Sequence, residues 1–154
     1  MIELDELNAL MTELGPKLDA LQVKHFEGKN FWTVLFDEAV LLYVDLDPAR
    51  QMLVVSADVA EPLPEARLAR YEMILQYNNL WTETGGLRMA LDSPEGVVVL
   101  LVDVPLAGIT RETLATLCGN FVEAVHTWRE ILERPLDTGG DTPPADEDAF
   151  IVRV

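Results

Sequence analysis

Positive charge is scarce in this chain: 11 Lys and Arg stand against 27 Asp and Glu, a formal net charge of −16 over 154 residues. Nothing here would displace the counterions along a phosphate backbone, which argues against nucleic acid as a partner. The same sign argues against an anionic membrane surface. It favours solubility and attraction to basic partners. Cysteine is scarcer still. A single residue, Cys118, excludes an internal disulfide and any metal cluster built on thiolates. No apolar run reaches the roughly 20 residues of a membrane span. The N-terminus, MIELDELNAL, is acidic where a signal peptide carries positive charge. These absences lead to the expectation of a cytoplasmic protein.

The signatures of catalysis are missing as well. His25 and His126 lie far apart in sequence, and neither belongs to a metal spacing such as HExxH. There is no GxSxG, no P-loop and no dinucleotide fingerprint. His25 reads as a loop residue and His126 as a helix-flank residue. Cys118 adjoins an apolar helical stripe and reads as a buried, inert thiol. Gly85-Gly86 follows a helix instead of opening one, so it reads as a stop and not as a phosphate cradle. Carboxylates are too plentiful for any pair to stand out. Asp103 is an acid inside an apolar strand; it reads as the point where that strand emerges, with a buried acid of perturbed pKa as the alternative. The expectation is no catalytic residue, no cofactor and no metal.

What the chain does have is apolar periodicity, with 49% hydrophobic residues, enough for the core of one domain. In Ile2–Leu14 the residues Leu4, Leu7, Leu10, Met11 and Leu14 recur at spacings of three and four, which predicts an amphipathic helix ended by Gly15-Pro16. Lys17–Asn30 is ambiguous and includes a turn at Gly28-Lys29-Asn30. Phe31–Phe36, Glu38–Asp45 and Met52–Asp58 have strand composition and predict an antiparallel meander, with a turn at Asp47-Pro48-Ala49-Arg50. Val40, Leu42 and Val44 fall on one face of it, Leu41 and Tyr43 on the other.

Pro62-Leu63-Pro64 opens a second helix on which Leu68, Tyr71, Leu75, Asn78 and Trp81 share a face. Asn78-Asn79 near its end reads either as a polar network at an interface or as a cap in solvent. After the glycine stop, Leu87, Met89 and Leu91 alternate as a half-buried strand. Ser93-Pro94-Glu95-Gly96 turns the chain into Val97–Val104, a strand apolar on both faces. Such a strand cannot face water on either side, so each side needs a cover, and a second copy of the chain is one candidate. Thr110 caps a third helix with the stripe Leu114, Leu117, Phe121, Val125, Trp128 and Leu132. Gly119 within it suggests a close backbone approach, and Pro135 ends it. Asp137–Asp148 is Gly-, Pro- and acid-rich without periodicity and reads as a disordered tail, followed by a short apolar coda, Phe150-Ile151-Val152. The predicted class is α+β in the order α-βββ-α-ββ-α, a twisted antiparallel sheet packed with helices, with residues 1–135 as the domain and 136–154 as the tail.

The run YEMILQYNNLW, then GGLRMALDSPEGVVVLLVDVPL, then ITRETLATLCGNFVEAVHTWREIL resembles the CesT-like, class I type III secretion chaperones. The residues carrying the resemblance are the Asn at the end of the second helix, the glycine before the next strand, the "ALD" ending that strand, the apolar strand after it, and the Phe and Trp of the third helix. They span about Pro64 to Leu132. The resemblance implies a cytoplasmic bacterial homodimer that binds the N-terminal region of one or a few secreted effectors. It holds that segment extended, soluble and export-competent without ATP. It further implies a dimer built on the second helix and the hairpin after it, with cargo along the first helix and first strands. The candidates for cargo contact are Leu4, Leu7, Met11, Phe31, Trp32, Val34, Leu42 and Val44. The candidates for the dimer are Tyr71, Leu75, Asn78, Trp81, Val99 and Leu101. The secretion ATPase and export apparatus are further candidate partners; no nucleic acid or membrane is expected. Two other readings stand beside this one: a regulatory protein-binding module of the same fold with no exported cargo, and a small enzyme using Asp45, Asp58 or Asp103 in a closed pocket.

Overall fold

The computed structural model describes residues 3–36 and 39–136. The proposed tail, the apolar coda Phe150-Ile151-Val152, and the first residues of the predicted first helix and second strand of the meander lie outside them. Ten elements follow one another: α1 (Leu4–Lys17), β1 (Gln22–His25), β2 (Phe31–Leu35), β3 (Leu41–Asp47), β4 (Met52–Ala60), a 3-10 turn (Pro64–Ala66), α2 (Arg67–Asn79), β5 (Arg88–Leu91), β6 (Val98–Pro105) and α3 (Arg111–Glu133). The expected α+β layout holds, with one strand more. All strand pairs are antiparallel, in the order β1-β2-β3-β4-β6-β5.

Period-two alternation gives the sheet a dry face and a half-wet face. Trp32, Val34, Leu42, Val44, Leu53, Val55, Leu100 and Val102 are buried on the dry face, aligned strand to strand. Onto them dock the apolar stripes of α1 (Leu7, Met11, Leu14) and α3 (Leu114, Phe121, Val125, Trp128, Leu132). The helix α2 instead packs at the β5 margin, where Tyr77 meets Trp128 edge-on with ring centroids 4.9 Å apart. Burial pushes the Tyr77 hydroxyl up to about 12, against a smaller opposing effect of Trp128.

Several local expectations change. Gly15-Pro16 does not end α1, which runs to Lys17. Pro16 falls in the last turn, where its missing N–H costs one bond, and Leu18 still donates to the Leu14 carbonyl at 3.1 Å. Gly15 serves packing: a Cβ there would lie 2.9 Å from Val23 Cγ2 of β1. The ambiguous segment holds β1, whose sequence QVKH has one apolar residue because it is an edge strand. His25 is therefore a strand residue, stacked on Trp32 at 5.0 Å and bonded to the Lys29 carbonyl at 3.0 Å.

The helix α2 stops at Asn79, ahead of the glycines; Leu80 donates to the Tyr77 carbonyl, and Gly85 and Gly86 take positive φ after the turn that follows. Thr110 caps α3 as expected, in a reciprocal pair with Thr113. Gly119 meets no close backbone: a Cβ there would touch nothing within 4 Å.

Candidate protein-binding surface

The uncovered face of the sheet is the surface of interest, and strand parity builds it. Thr33, Tyr43, Ser56, Leu101 and Arg88 line up across β2, β3, β4, β6 and β5 on that face. The parallel row runs Phe31, Asp45, Val54 and Asp103. At the β1–β2 end the rings of Phe26 and Phe31 lie 5.0 Å apart, Phe31 stacks on Tyr43 at 6.1 Å, and the Lys24 ammonium sits 4.8 Å above Phe26. Leu35, Leu41, Val54, Val99 and Leu101 extend the apolar area, and each remains partly exposed.

Charge divides this face. Asp103 lies on it two residues before the end of β6 at Pro105, partly exposed and beyond the register of β5. It accepts from Arg50 Nη2 at 2.8 Å and from Arg88 Nη2 at 2.9 Å. Partial burial pushes the Asp103 carboxyl up, but the two arginines' hydrogen bonds and charges outweigh it and hold the group below its usual range. Arg50 also bonds through its backbone N–H to the Asp47 carboxylate at 3.0 Å. The β5–β6 half thus presents a neutralised ion-pair cluster, and the β1–β3 half an aromatic platform. Asp45, Asp58 and Asp103 share this open face. A depression of about 780 Å³ at the far end of β4 and β6 brings together only Glu6 and Arg50 among charged groups. No group of three metal-ligating side chains occurs among the described residues. No helix among them is long and apolar enough to cross a membrane.

The structure divides the cargo candidates. Leu7, Met11, Trp32, Val34, Leu42 and Val44 are at most 1% exposed and belong to the core. Only Leu4, at 40%, and Phe31 remain accessible. Both parities of β2 and β3 are apolar, and the parity that turns inward is decided by where α1 docks, a long-range fact. The accessible residues are the other parity, Leu35, Leu41 and Tyr43, joined by Phe26, which sequence reasoning left in an ambiguous stretch. The signal for them was the recurrence of aromatics (Phe31, Tyr43) on one parity.

The dimer candidates fall on two surfaces. Leu75 and Trp81, with Leu68, are 69%, 63% and 75% exposed and lie on or just beyond the outward side of α2. Val99 and Leu101 lie on the open sheet face, and Tyr71 is half-buried. Asn78 is committed within its own chain: its Oδ1 accepts from the Met89 N–H and its Nδ2 donates to the Met89 carbonyl, both at 2.9 Å. It pins α2 to the edge of β5.

The model of the Tir chaperone protein (CesT) family matches residues 10–129. The chain belongs to this family. The match takes in α1 from Leu10 through nearly all of α3, and so includes β1, the one strand that lay in the ambiguous segment. Solved structures agree on the fold. The ExsC–ExsE complex contains a chain 21% identical, with a TM-score of 0.73 over 88% of this chain and 100% of that one. The HopA1–SchA chaperone–effector complex gives 19% identity and a TM-score of 0.65 over 84% and 99%. The Yersinia pestis type III secretion chaperone SycH, in complex with a stable fragment of YscM2, gives 18% identity and 0.60 over 77% and 96%. No curated protein sequence matches this CesT-family chain.

Proposed function

We propose that this protein is a cytoplasmic type III secretion chaperone that binds the N-terminal region of one or a few exported effectors. The observation that carries the reading is the open sheet face, where Phe26, Phe31, Tyr43 and Leu101 are left half-exposed. An extended segment laid on it would bury alternate side chains against the aromatic platform. Among the described residues β1 pairs only with β2, so its outer edge can also accept a strand. Holding the segment extended keeps it from collapsing or aggregating, and no ATP is required because export removes the cargo. The working unit is a homodimer, and Leu68, Leu75 and Trp81 on and beside α2 are the surface a second copy would cover. Residues 1–135 form the binding domain, 136–154 a separate acidic tail, and the export apparatus with its ATPase receives the loaded complex.

The test is purification of the tagged protein from its native host with its bound partners identified by mass spectrometry. Recovery of a protein exported by a type III system is the expected result. Recovery of a regulator alone, with no exported protein, would replace this reading by that of a regulatory module on the same fold.

A further inference from the structure

One acid on the open sheet face stands apart from its neighbours. Asp103 is held by Arg50 and Arg88, and Asp47 accepts the Arg50 N–H at 3.0 Å. Asp45 has neither an ion pair nor a side-chain hydrogen bond among the described residues. It is exposed in β3, yet its surroundings remove part of its water and push its carboxyl up, and no positive charge acts against that. An acid so placed costs some stability at neutral pH.

What surrounds Asp45 is aromatic. Phe31 is its direct partner across the β2–β3 ladder, and residues directly opposite bring their Cβ atoms to about 4.5–5.5 Å. Tyr43 lies two residues back on the same face of β3, and its ring stacks on that of Phe31, with centroids 6.1 Å apart and planes 17° from parallel. Val54 is the partner of Asp45 on β4 and flanks it on the other side. A carboxylate beside two stacked rings matches a guanidinium, whose planar fork donates to the acid while its face lies on a ring. The same platform already carries one cation, the Lys24 ammonium 4.8 Å from the centre of the Phe26 ring. The arginines that reach this face, Arg50 and Arg88, are taken by Asp103. We propose that Asp45, with Phe31 and Tyr43, forms a subsite for an arginine side chain of the bound segment, and that the open face selects an arginine with apolar residues two positions to either side. The subsite rests on the reading of that face as the binding surface. Charge complementarity there is local, since one unpaired acid among rings does what the net charge of the chain alone would not.

The test titrates the full chain with acetyl-Leu-Ser-Arg-Ser-Leu-amide, whose Leu, Arg and Leu side chains fall on one side of an extended chain, and with the same peptide carrying citrulline, the neutral isostere, in place of arginine. Amide chemical shifts in β2 and β3 follow the binding. The parent should bind the arginine peptide about fivefold more tightly, as one exposed ion pair and one cation–π contact allow. Asp45→Asn should bind the two peptides equally, while Glu123→Gln, the same charge change on the exposed side of α3, should keep the preference. Because Asp45 has no partner to lose, Asp45→Asn should leave Tm at pH 7 unchanged or raised. No binding of either peptide at millimolar concentration, equal binding by the parent, a preference that survives in Asp45→Asn, or a Tm lowered by that change overturns the subsite. The partners recovered from the host judge the cargo reading separately. Asp45-dependent peptide binding with no exported partner supports the subsite and removes that reading; an exported segment that binds parent and Asp45→Asn alike keeps the reading and overturns the subsite.

Discussion

Replacing Asn78 by Ala isolates the tie between α2 and the sheet. The side-chain amide makes two bonds to one residue, accepting from the Met89 N–H and donating to its carbonyl, each at 2.9 Å and part-buried. Each bond contributes about 1 kcal/mol net, and leaving Met89 partly unsatisfied adds a share of its desolvation cost, so the loss is about 2–3 kcal/mol. For a domain near this size each kcal/mol moves the midpoint by about 3–5 °C, so Tm should fall by about 6–15 °C. Asn78→Asp should lose a similar amount at neutral pH, because a carboxylate keeps the acceptor for the N–H but faces the Met89 carbonyl with a second acceptor. Thermal unfolding followed by circular dichroism measures both. A Tm within about 2 °C of the parent for Asn78→Ala would mean that solvent replaces the amide without cost and that α2 is held by Ile74 and Tyr77 alone.

Three further outcomes are expected. Asp103 has a depressed folded-state pKa, so its contribution is full above the unfolded value and is lost as pH falls through the folded one; the Tm gap between parent and Asp103→Asn should hold from pH 7 to about 5 and close below about 3.9. A gap that instead widened in acid would contradict the pairing with Arg50 and Arg88. Burial pushes the Cys118 thiol up to about 12, so a thiol reagent at pH 8 should react only on unfolding; rapid labelling of native protein would place the thiol at the surface. Light scattering should give twice the 17.2 kDa chain mass for the parent and the single mass for Leu75→Glu, while a monomeric parent would remove the dimer from the proposal.

Much of this arrangement was readable from local signals. The α3 stripe, the Thr110 cap, the Ser93–Gly96 turn and the two-faced strand β6 depend on neighbours in sequence, and each formed where expected. β1 was not readable because an edge strand needs apolar residues on one parity only, and QVKH offers one. The end of α1 was misplaced because Gly15-Pro16 resembles a stop, while its glycine answers to Val23 in a strand that pattern did not reveal. The candidate surface was half-legible. Alternation in β2 and β3 separated two apolar faces, but only the docking of Leu7, Met11 and Leu14 decides which becomes core. The ion pairs of Asp103 were not legible because its partners are distant in sequence: Arg50 lies in a turn and Arg88 opens β5.

The central claim is that the open sheet face, and not the α1-covered one, holds the cargo. Its most direct measurement is the affinity of the exported protein's N-terminal segment, once recovered, for the parent and for Tyr43→Asp by titration calorimetry. Tyr43 is partly exposed, stacked on Phe31, and central to the aromatic platform. A charge there should weaken binding at least about tenfold, since burying an unpaired carboxylate against the segment is costly, while the Tm changes little. Equal affinity with an intact fold would place the cargo elsewhere and contradict the assignment of this face.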